Sequence, residues 1–448
     1  MICANLQWFT DRDGELPPVG VLRRIVSDFL KFNMFKFIHT ADLHLDAPLK
    51  SLALKDQGLA EIVGNATRRA LEQIVDLCIE EKVDALIIAG DLYDGDMRSM
   101  KTAAFLLSEL ERLNKSDISV FIIKGNHDAE SVLTRELAFP PNVQVFSGHG
   151  ECIKIPEKQT AIHGVSFAKP HAPDSLLSKF KSPEPGYFNV GLLHTSLSGS
   201  SQHDPYAPCS IADLERHGFD YWALGHIHVR TVHSNSPYIV MPGMPQGRDI
   251  GEQGSKSVTL VDFDGQSVTI EERHTSTVEF EQIEVSLSDV VEWRDALDVI
   301  KLAITNLVDE RSQHKIIRIE IIGSTSLAWK IRRDFDLFYE QVSGIAQTIG
   351  SIWIDKIVNK LEPISMEIGS DDARSELINS MEGLLENSSF NLRAEQEVEE
   401  LISELPPEIR SLFGEDESER SHAVKVFLEE GIKEISARML SGERETSS

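Results

Sequence analysis

Aspartate, asparagine and histidine recur in short groups, and each group follows a run of apolar residues. The groups are Asp42 and His44 in FIHTADLH, Asp91 in LIIAGDLYD, Asn126, His127 and Asp128 in FIIKGNHD, His194 in VGLLHTS, and His226 and His228 in WALGHIH. Carboxylate, imidazole and amide oxygen groups are metal ligands, and a set without thiolates suits Mn²⁺ or Fe²⁺ better than a structural zinc ion. The pattern therefore predicts a metal-binding or catalytic cluster.

Each of these residues also has an ordinary explanation when it is taken alone. A single histidine at a strand end is usually just hydrogen-bonded, and Asp42 or Asp91 would suit the N-cap position of a helix. Asn126 and His127 would suit a turn. Because five groups at equivalent places would all have to be coincidences, we favour one shared site.

The apolar runs before these groups are typical of β-strands buried on both faces. They are FKFIHTA, ALIIAG, SVFIIKG, YFNVGLLHT and YWALGHIHV, and a helical pattern covers residues 65–83 between the first two. In open α/β sheets, ligands bind beyond the carboxyl ends of the strands. Gly90, Gly125 and Gly225 stand directly before candidate ligands, where a tight turn or a close approach of the backbone is needed.

His226 and His228 are spaced two residues apart at the end of the last of these runs. If the strand continues through YWALGHIHV, side chains two apart point to the same face. We therefore expect the two imidazoles to enter one small volume.

The alternation of strands and helices indicates a layered α/β fold. Residues 1–33 precede the first strand, and we interpret them as a dispensable extension outside the core. The main domain is expected at 34–275, and a small α+β domain at 276–362. Residues 363–448 form an acidic helical C-terminal region, broken by ELPPEI.

Length and composition describe an ordinary chain of several domains. The 448 residues are 41% hydrophobic and 26% charged, which allows two or three domains with cores of their own. No apolar run approaches the roughly 20 residues that a membrane span needs. The N-terminus lacks the pattern of a secretory signal, and the four scattered cysteines indicate no disulfide framework. We expect a cytoplasmic protein.

The formal net charge of −28 does not exclude a nucleic-acid partner. About half of the negative excess lies after Glu362, whereas residues 301–360 are slightly basic. An acidic metal site also adds carboxylates that bound cations neutralise.

Taken in order, the motifs DxH, GD, GNHD, a lone histidine and GHxH resemble the five motifs of calcineurin-like metallophosphoesterases. FIHTADLHLDAPL, HDPYAPCSIADL and PGMPQGRDIGEQG further resemble the SbcD-type DNA repair nucleases, most of all the bacterial YhaO-type branch. The resemblance covers residues 34–275, and more loosely 276–362, where SbcD-like proteins carry a small DNA-facing cap domain. It implies a β-sandwich flanked by helices.

The resemblance implies a role for each motif. The first metal would be held by Asp42, His44 and His228, the second by Asn126, His194 and His226, and Asp91 would bridge them. The two histidines of GHxH would then serve different ions. His127 would protonate the leaving oxygen, oriented by Asp128. Asp94 occupies a place where archaeal and eukaryotic relatives carry histidine, although bacterial relatives also tend to have aspartate there.

The activity implied is that of a metal-dependent phosphodiesterase or exonuclease with two Mn²⁺ ions, for which Mg²⁺ or Fe²⁺ can substitute. It would act on DNA ends or hairpins in double-strand break repair, with an SbcC-like coiled-coil ATPase as partner and a homodimer left open. Candidate substrate contacts are Arg248, Lys330, Arg332 and Arg333. A loop salt bridge with Asp249 or Glu252 explains Arg248 equally well, and a solvated helix face explains the other three.

Three alternatives stay open. Phosphoprotein phosphatases resemble GDxxDRG and GNHE, and GDLYDGD and GNHD count against them. A small-nucleotide phosphodiesterase or a DNA-end tethering subunit also fits the motifs. The C-terminal helix predicted at 422–440 either docks the ATPase or covers the protein's own core; its apolar stripe comprises Val424, Phe427, Leu428, Ile432, Ile435 and Met439.

Overall fold

This computed structural model describes residues 34–47, 57–93, 99–129, 138–197, 206–308, 314–363, 373–405, 410 and 417–440. The predicted extension at 1–33, Asp94 and part of the segment around ELPPEI lie outside the described residues. The chain divides into two compact units, which are Met1–Glu281 with Glu310–Lys315, and Gln282–Asp309 with Ile316–Ser448. Each unit is described by itself below.

The first unit contains two six-stranded mixed sheets. The first sheet has the order β12-β11-β1-β2-β3-β4 and the second the order β5-β6-β7-β8-β10-β9. The strands are β1 (Phe35–Thr40), β2 (Ala85–Ala89), β3 (Ser119–Ile123), β4 (Val143–Val145), β5 (Glu151–Ile155), β6 (Thr160–Val165), β7 (Phe188–His194), β8 (Tyr221–Gly225), β9 (Thr231–Asn235), β10 (Tyr238–Met241), β11 (Ser257–Phe263) and β12 (Val268–His274).

The strands that precede the candidate ligands are parallel neighbours within their sheets. β2 pairs in parallel with both β1 and β3 in the first sheet, and β7 pairs in parallel with β8 in the second. Thr40 lies opposite Ile88, and His194 lies opposite Gly225. The carboxyl ends of neighbouring strands are therefore level with one another, and the segments that follow them start at one edge of each sheet.

Alternate residues of the central strands face opposite ways, and both faces are buried. One face of the first sheet packs against the second sheet, through Phe37, Ile87, Phe121, Ile162, Leu192 and Ala223. The other face packs under helices, through Ile38, Leu86, Val120, Leu71, Ile74 and Leu106. This two-sided burial explains why these strands are apolar throughout rather than alternating.

The helices of the first unit are α1 (Gln57–Gly64), α2 (Ala66–Glu80), α3 (Met100–Lys115) and α4 (Ile211–His217). α2 lies within the helical pattern predicted at 65–83; its Ala70, Ile74 and Cys78 are buried, and Leu77 is partly buried. α4 packs on the outer face of the second sheet, where the Trp222 indole nitrogen donates to the Leu214 carbonyl oxygen at 3.1 Å. The predicted α/β sandwich flanked by helices is confirmed.

His39 links the two sheets beneath the candidate site. Its Nδ1 lies 3.0 Å from the Tyr221 hydroxyl and its Nε2 lies 3.0 Å from the Leu224 carbonyl oxygen. Complete burial lowers the pKa of this imidazole to about 3, so it is neutral at physiological pH. His39 is a structural link rather than a further candidate ligand.

The second unit is built on a three-stranded sheet of β13 (Val278–Ser286), β14 (His314–Thr325) and β15 (Ile352–Pro363), although β13 and β14 both begin in the first unit. Its helices are α5 (Trp293–Thr305), α6 (Ala328–Arg333), α7 (Phe335–Ile349), α8 (Ala373–Leu385), α9 (Ser388–Ser403) and α10 (Glu417–Leu440). A separate core includes Ile300, Ile319, Phe338 and Ile354. Among the described helices, none is long and apolar enough to cross a membrane.

The predicted C-terminal helix exists as α10, and its apolar residues have mixed environments. Val424 is 2% exposed, whereas Phe427 is 52% and Ile435 is 49% exposed. α10 is joined to α6 by an ion pair between Arg332 and Glu430, with the two charged atoms 2.7 Å apart. The apolar stripe of α10 is therefore buried at Val424 and exposed further along the helix, at Phe427 and Ile435.

Candidate metal centre

The segments that follow the parallel strands are fastened to one another by backbone hydrogen bonds. The Asp42 amide donates to the Gly90 carbonyl oxygen at 3.0 Å, and the His44 amide donates to the Asp91 carbonyl oxygen at 3.1 Å. From the second sheet, the His226 amide donates to both carboxylate oxygens of Asp42, at 3.0 and 3.1 Å. The two sheets thus present their candidate ligands to a common volume.

Four of the candidate ligands have left-handed backbone conformations. The φ angles are 54° at Asp42, 41° at His44, 52° at Asp91 and 104° at His226. Such conformations cost about 1–3 kcal/mol each for residues other than glycine, and they cluster at functional sites. The strain indicates that the position of these side chains matters more than the local stability of the loops.

The three glycines that precede candidate ligands allow this close packing. A Cβ atom at Gly90, where φ is +99°, would lie 2.4 Å from His194 Nδ1, and one at Gly125 would lie 2.1 Å from Asp91 Oδ1. A Cβ atom at Gly225 would lie 2.1 Å from the Ala89 carbonyl oxygen. The predicted need for glycine at these positions is confirmed.

The predicted ligands come together in overlapping groups whose donor atoms lie within 4.8 Å of one another. One group holds Asp42, His44 and His228, a second holds Asp91, His194 and His226, and a third holds His44, Asp91 and His127. Asn126 joins the second group, because its Oδ1 lies 3.1 Å from His194 Nε2. All seven predicted ligands and His127 are thus brought together.

Asp91 lies between the first two groups. Its Oδ2 is 3.3 Å from His194 Nε2 and 3.9 Å from His44 Nε2. Its Oδ1 accepts a hydrogen bond from the His127 amide at 3.1 Å. A carboxylate that reaches an imidazole of each group is placed as a bridging ligand would have to be.

His226 and His228 belong to different groups of ligands within the cluster, and the strand assumed to carry both does not continue through them. β8 ends at Gly225, and the backbone of His226 is in a positive-φ conformation that does not continue a strand. The ring of His226 lies 5.1 Å from that of His194, and the ring of His228 lies 5.1 Å from that of His44. The placement supports the interpretation that each serves a different ion.

His127 is half-buried, and its ring lies 5.0 Å from that of His44. The Asp128 carboxylate accepts backbone hydrogen bonds from Leu92, Tyr93 and Gly125 at 3.0–3.2 Å. Asp128 therefore ties the segment after β2 to the segment after β3, and its action on the orientation of His127 stays a prediction. Burial, with the nearby charge of Asp91, raises the pKa of Asp128 to about 6.

The two buried carboxylates have different electrostatic environments. Burial raises the pKa of Asp42. Burial also acts to raise the pKa of Asp91, but the adjacent His194 outweighs it and holds this pKa below its ordinary value. For His194, burial alone would lower the pKa, yet Asp91 raises it to about 9. Asp91 and His194 therefore stabilise each other's charged forms. A divalent cation that binds both groups would displace the proton from His194.

The outward nitrogens of two candidate ligands have defined partners. His194 Nδ1 lies 2.9 Å from the Ala89 carbonyl oxygen, and His228 Nδ1 lies 2.8 Å from Glu252 Oε1. Although burial acts to raise it, the pKa of Glu252 is lowered by His228 and Arg248. The sequence pattern predicted Glu252 only as a salt-bridge partner of Arg248, and its contact with a candidate ligand was not predicted. The four-residue spacing in RDIGE signals only the pairing of Glu252 with Arg248.

The structure places the four predicted substrate contacts in ion pairs or on an aromatic ring. Arg248 pairs with Glu252 at 2.8 Å, so the loop salt bridge foreseen as an alternative is present. In the second unit, Lys330 Nζ lies 5.5 Å from the centre of the Trp293 ring, and Arg333 pairs with Asp334 at 2.7 Å. Arg332 is the residue that pairs with α10. Contact of these residues with phosphate stays a prediction.

The donor set fits two divalent cations. It supplies carboxylate oxygen, amide oxygen and imidazole nitrogen, and none of the metal-binding groups found among the described residues includes a cysteine. Mixed oxygen and nitrogen donors suit Mn²⁺, Fe²⁺ and related ions, whereas closed structural zinc sites favour sulfur. The overlap of the groups at Asp91 suits a pair of ions better than a single one.

Comparison with known proteins agrees with this arrangement. The family described as calcineurin-like phosphoesterase matches residues 35–230, and the family described as the middle domain of metallophosphoesterase YhaO matches residues 280–362. Residues 35–230 therefore form a calcineurin-like metallophosphoesterase domain, the domain of metal-dependent hydrolases of phosphate esters. The family predicted from the five motifs is confirmed.

Individual relatives extend the similarity along the chain. The uncharacterized metallophosphoesterase YhaO of Bacillus subtilis is 28% identical over 392 residues, which are 82% of this chain and 94% of that protein. The DNA double-strand break repair protein Mre11 of Sulfurisphaera tokodaii is 27% identical over 254 residues, 53% of this chain and 62% of that protein. The protein of the same name from Methanocaldococcus jannaschii is 24% identical over 284 residues, 59% of this chain and 73% of that protein.

Proposed function

We propose that this chain is a dinuclear-metal-dependent DNA nuclease that hydrolyses phosphodiester bonds at DNA ends or hairpins in double-strand break repair. The observation that carries the proposal is the position of Asp91 between two groups of ligands, with His127 beside it. The native ions proposed are two Mn²⁺, with Mg²⁺ or Fe²⁺ as substitutes.

Asp42, His44 and His228 would hold one ion, and the other would be held by Asn126, His194 and His226, with Asp91 shared. When bound, such ions supply positive charge to the phosphoryl group and lower the pKa of an attacking water. The protein's own contribution is rigidity, because the ligands are held by strand ends, by close-packed glycines and by backbone hydrogen bonds. A fixed arrangement of this kind does not have to reorganise during the reaction.

His127 would donate a proton to the leaving oxygen of the cleaved phosphodiester. A DNA 3′ or 5′ oxygen is a poor leaving group when it departs as an alkoxide, so a positioned acid accelerates the reaction. His127 is half-buried and follows the short segment that begins at Gly125, where it adjoins the ligands while remaining accessible. Asp128 anchors the same segment through its three backbone hydrogen bonds.

DNA is the proposed substrate for two reasons. The relatives include proteins named for DNA double-strand break repair, and residues 280–362 match a further domain beyond the hydrolase domain. That domain carries Lys330, Arg332 and Arg333, whose guanidinium and ammonium groups are the usual contacts to DNA phosphates. The YhaO relative leaves a small-nucleotide phosphodiesterase as the second candidate, because its name states a metallophosphoesterase without a substrate.

A substrate panel tests the proposal. Purified full-length protein with Mn²⁺ is incubated with end-labelled duplex, hairpin and single-stranded DNA, and with a cyclic dinucleotide. We expect degradation or opening of DNA that stops when the metal is chelated. Hydrolysis of the cyclic dinucleotide alone would favour the small-nucleotide enzyme. Binding of DNA ends without any cleavage would favour a tethering subunit.

The proposed partner is an SbcC-like coiled-coil ATPase that docks on the C-terminal helices. Several large apolar side chains of these helices are exposed, including Leu392, Leu401, Phe427 and Ile435. Val424, in the same apolar stripe of α10, is buried, so the stripe is exposed only in part. An amphipathic helix whose apolar stripe stays partly exposed is suited to bind a partner helix.

Truncation after Asn391 is expected to leave a Mn²⁺-dependent nuclease that no longer co-purifies with the ATPase. Because α10 also packs within the second unit, the double variant Phe427→Glu and Ile435→Glu tests the same point with the helix retained. Leu377→Glu on α8, where Leu377 is 49% exposed, is the matched control. Unchanged ATPase affinity in both the truncated protein and the double variant would place the docking site elsewhere.

A further inference from the structure

The carboxylate of Glu252 contacts His228 on the side of the ring away from the other ligands. Glu252 Oε1 is 2.8 Å from His228 Nδ1, whereas His228 Nε2 lies 3.3 Å from His44 Nε2. An ionised carboxylate only accepts hydrogen bonds, so Nδ1 must be the nitrogen that carries the hydrogen. The lone pair of the neutral imidazole is then on Nε2, which faces His44 and Asp42.

Glu252 is in turn held by Arg248, in the segment between β10 and β11. The Arg248 amide donates to Oε2 at 2.8 Å, and its guanidinium Nη2 donates to Oε1 at 2.8 Å. The Glu252 amide donates to the Asp249 carbonyl oxygen at 3.0 Å, which closes the turn. Because Oε1 is shared by the guanidinium and the imidazole, loss of Arg248 would loosen the contact with His228 as well.

The two groups of ligands differ in how their imidazoles are oriented. His194 is the last residue of β7, and its Nδ1 is bound to the main chain of Ala89 at the end of β2. His228 lies beyond β8 in a segment outside any strand, and its Nδ1 partner is a side chain. The orientation of His228 therefore depends on side chains that a substitution can remove.

We infer that Glu252 is a positioning residue for the metal held by Asp42, His44 and His228, and that Arg248 acts through Glu252. The inference rests on the metal centre of the proposed function and adds to it a difference between the two ions. Partners that orient a ligating histidine usually contribute about 10–100-fold in metal affinity. Glu252 contacts only the first group among the described residues, so the loss is expected at one ion and not at the other.

Two matched substitutions in the same turn isolate this effect. Glu252→Gln keeps the shape, but whichever way the amide is turned, its NH₂ group meets a donor from His228 or Arg248. Asp249→Asn also removes one negative charge, yet it keeps the carbonyl oxygen that accepts from the Gly251 amide at 2.8 Å. Arg248→Ala removes the anchor of Glu252 without changing either carboxylate.

Full-length protein stripped of metal is titrated with Mn²⁺, and bound ions are counted by electron paramagnetic resonance and calorimetry. We expect two sites of normal affinity in the wild type and in Asp249→Asn. In Glu252→Gln and Arg248→Ala one of the two sites should weaken by about 10–100-fold. Melting curves recorded with EDTA should coincide for the four proteins, which shows that the fold is intact.

Normal affinity at both sites of Glu252→Gln, or an equal loss at both, would overturn the inference. If that variant fails to fold, Arg248→Ala decides: weakening of one site supports the inference, and a raised KM for DNA with unchanged metal affinity overturns the role given to Arg248. A wild type that binds two Mn²⁺ ions and leaves DNA intact would overturn the nuclease proposal alone, because the titration contains no substrate.

Discussion

Replacing Asp91 with alanine is expected to remove both metal ions and abolish phosphodiester hydrolysis. Asp91 reaches an imidazole of each group, His194 at 3.3 Å and His44 at 3.9 Å, so neither group is complete without it. Its loss also leaves the two imidazoles of the second group, His194 and His226, without the carboxylate that offsets the charge of a cation. Elemental analysis of the purified variant measures the metal content, and labelled DNA measures the activity.

Asp84→Ala is the matched control, because Asp84 precedes the opposite end of the same strand. It accepts from the Lys36 amide at 2.9 Å and pairs with Lys158, far from the ligands along β2. This control should retain both ions and full activity. Two ions retained in Asp91→Ala would show that Asp91 is not the bridging ligand.

Replacing His127 with asparagine is expected to lower turnover by about 10²–10⁴, the usual contribution of a positioned acid. Metal content and DNA affinity should stay close to the wild-type values, because the acid acts on the leaving oxygen and not on the ions. Turnover and metal content have to be measured together, because the donor atoms of His127, His44 and Asp91 lie within 4.8 Å of one another. Proximity alone therefore does not separate an acid from a ligand.

A substrate with an activated leaving group sharpens this test. A p-nitrophenyl phosphodiester departs without needing a proton, so His127→Asn should impair its hydrolysis much less than that of DNA. His149→Asn, which changes an exposed histidine between β4 and β5, serves as control and should have normal rates on both substrates. Loss of one metal ion from His127→Asn would reassign His127 as a ligand, and a near-normal rate on DNA would remove its role as the acid.

The location of the site could be predicted because its geometry follows from parallel strands. Once FKFIHTA, ALIIAG and SVFIIKG are recognised as buried strands, their carboxyl ends must lie side by side, and Asp42, Asp91 and Asn126 must follow them. The glycines were informative for the same reason, since Gly125 leaves no room for a Cβ atom beside Asp91.

The features of the site that were not predicted depend on backbone conformations, which hydrophobic patterns do not encode. The alternation rule placed His226 and His228 on one face, but the strand ends at Gly225 and the φ angle of 104° at His226 sends the two rings to different groups. The contact between Glu252 and His228 joins residues 24 apart in the chain across a loop. No periodic signal marks such a contact before the fold is known.

The helical C-terminal region shows a further limit of sequence patterns. The stripe from Val424 to Ile435 predicted an apolar face, and the structure divides it between a buried Val424 and exposed Phe427 and Ile435. Spacing alone identifies an amphipathic helix but does not state which neighbour covers it. In this structure α6 is one neighbour of α10, and the Arg332–Glu430 ion pair joins the two helices.

Anomalous X-ray diffraction from crystals grown with Mn²⁺ tests the central claim most directly, because it locates the ions without any assay. We predict two peaks, one contacted by Asp42, His44 and His228 and the other by Asn126, His194 and His226. Both peaks should be contacted by Asp91, and neither by the ring of His127. A single peak, or two peaks of which one is bound by His127 or lies away from Asp91, would contradict the dinuclear centre.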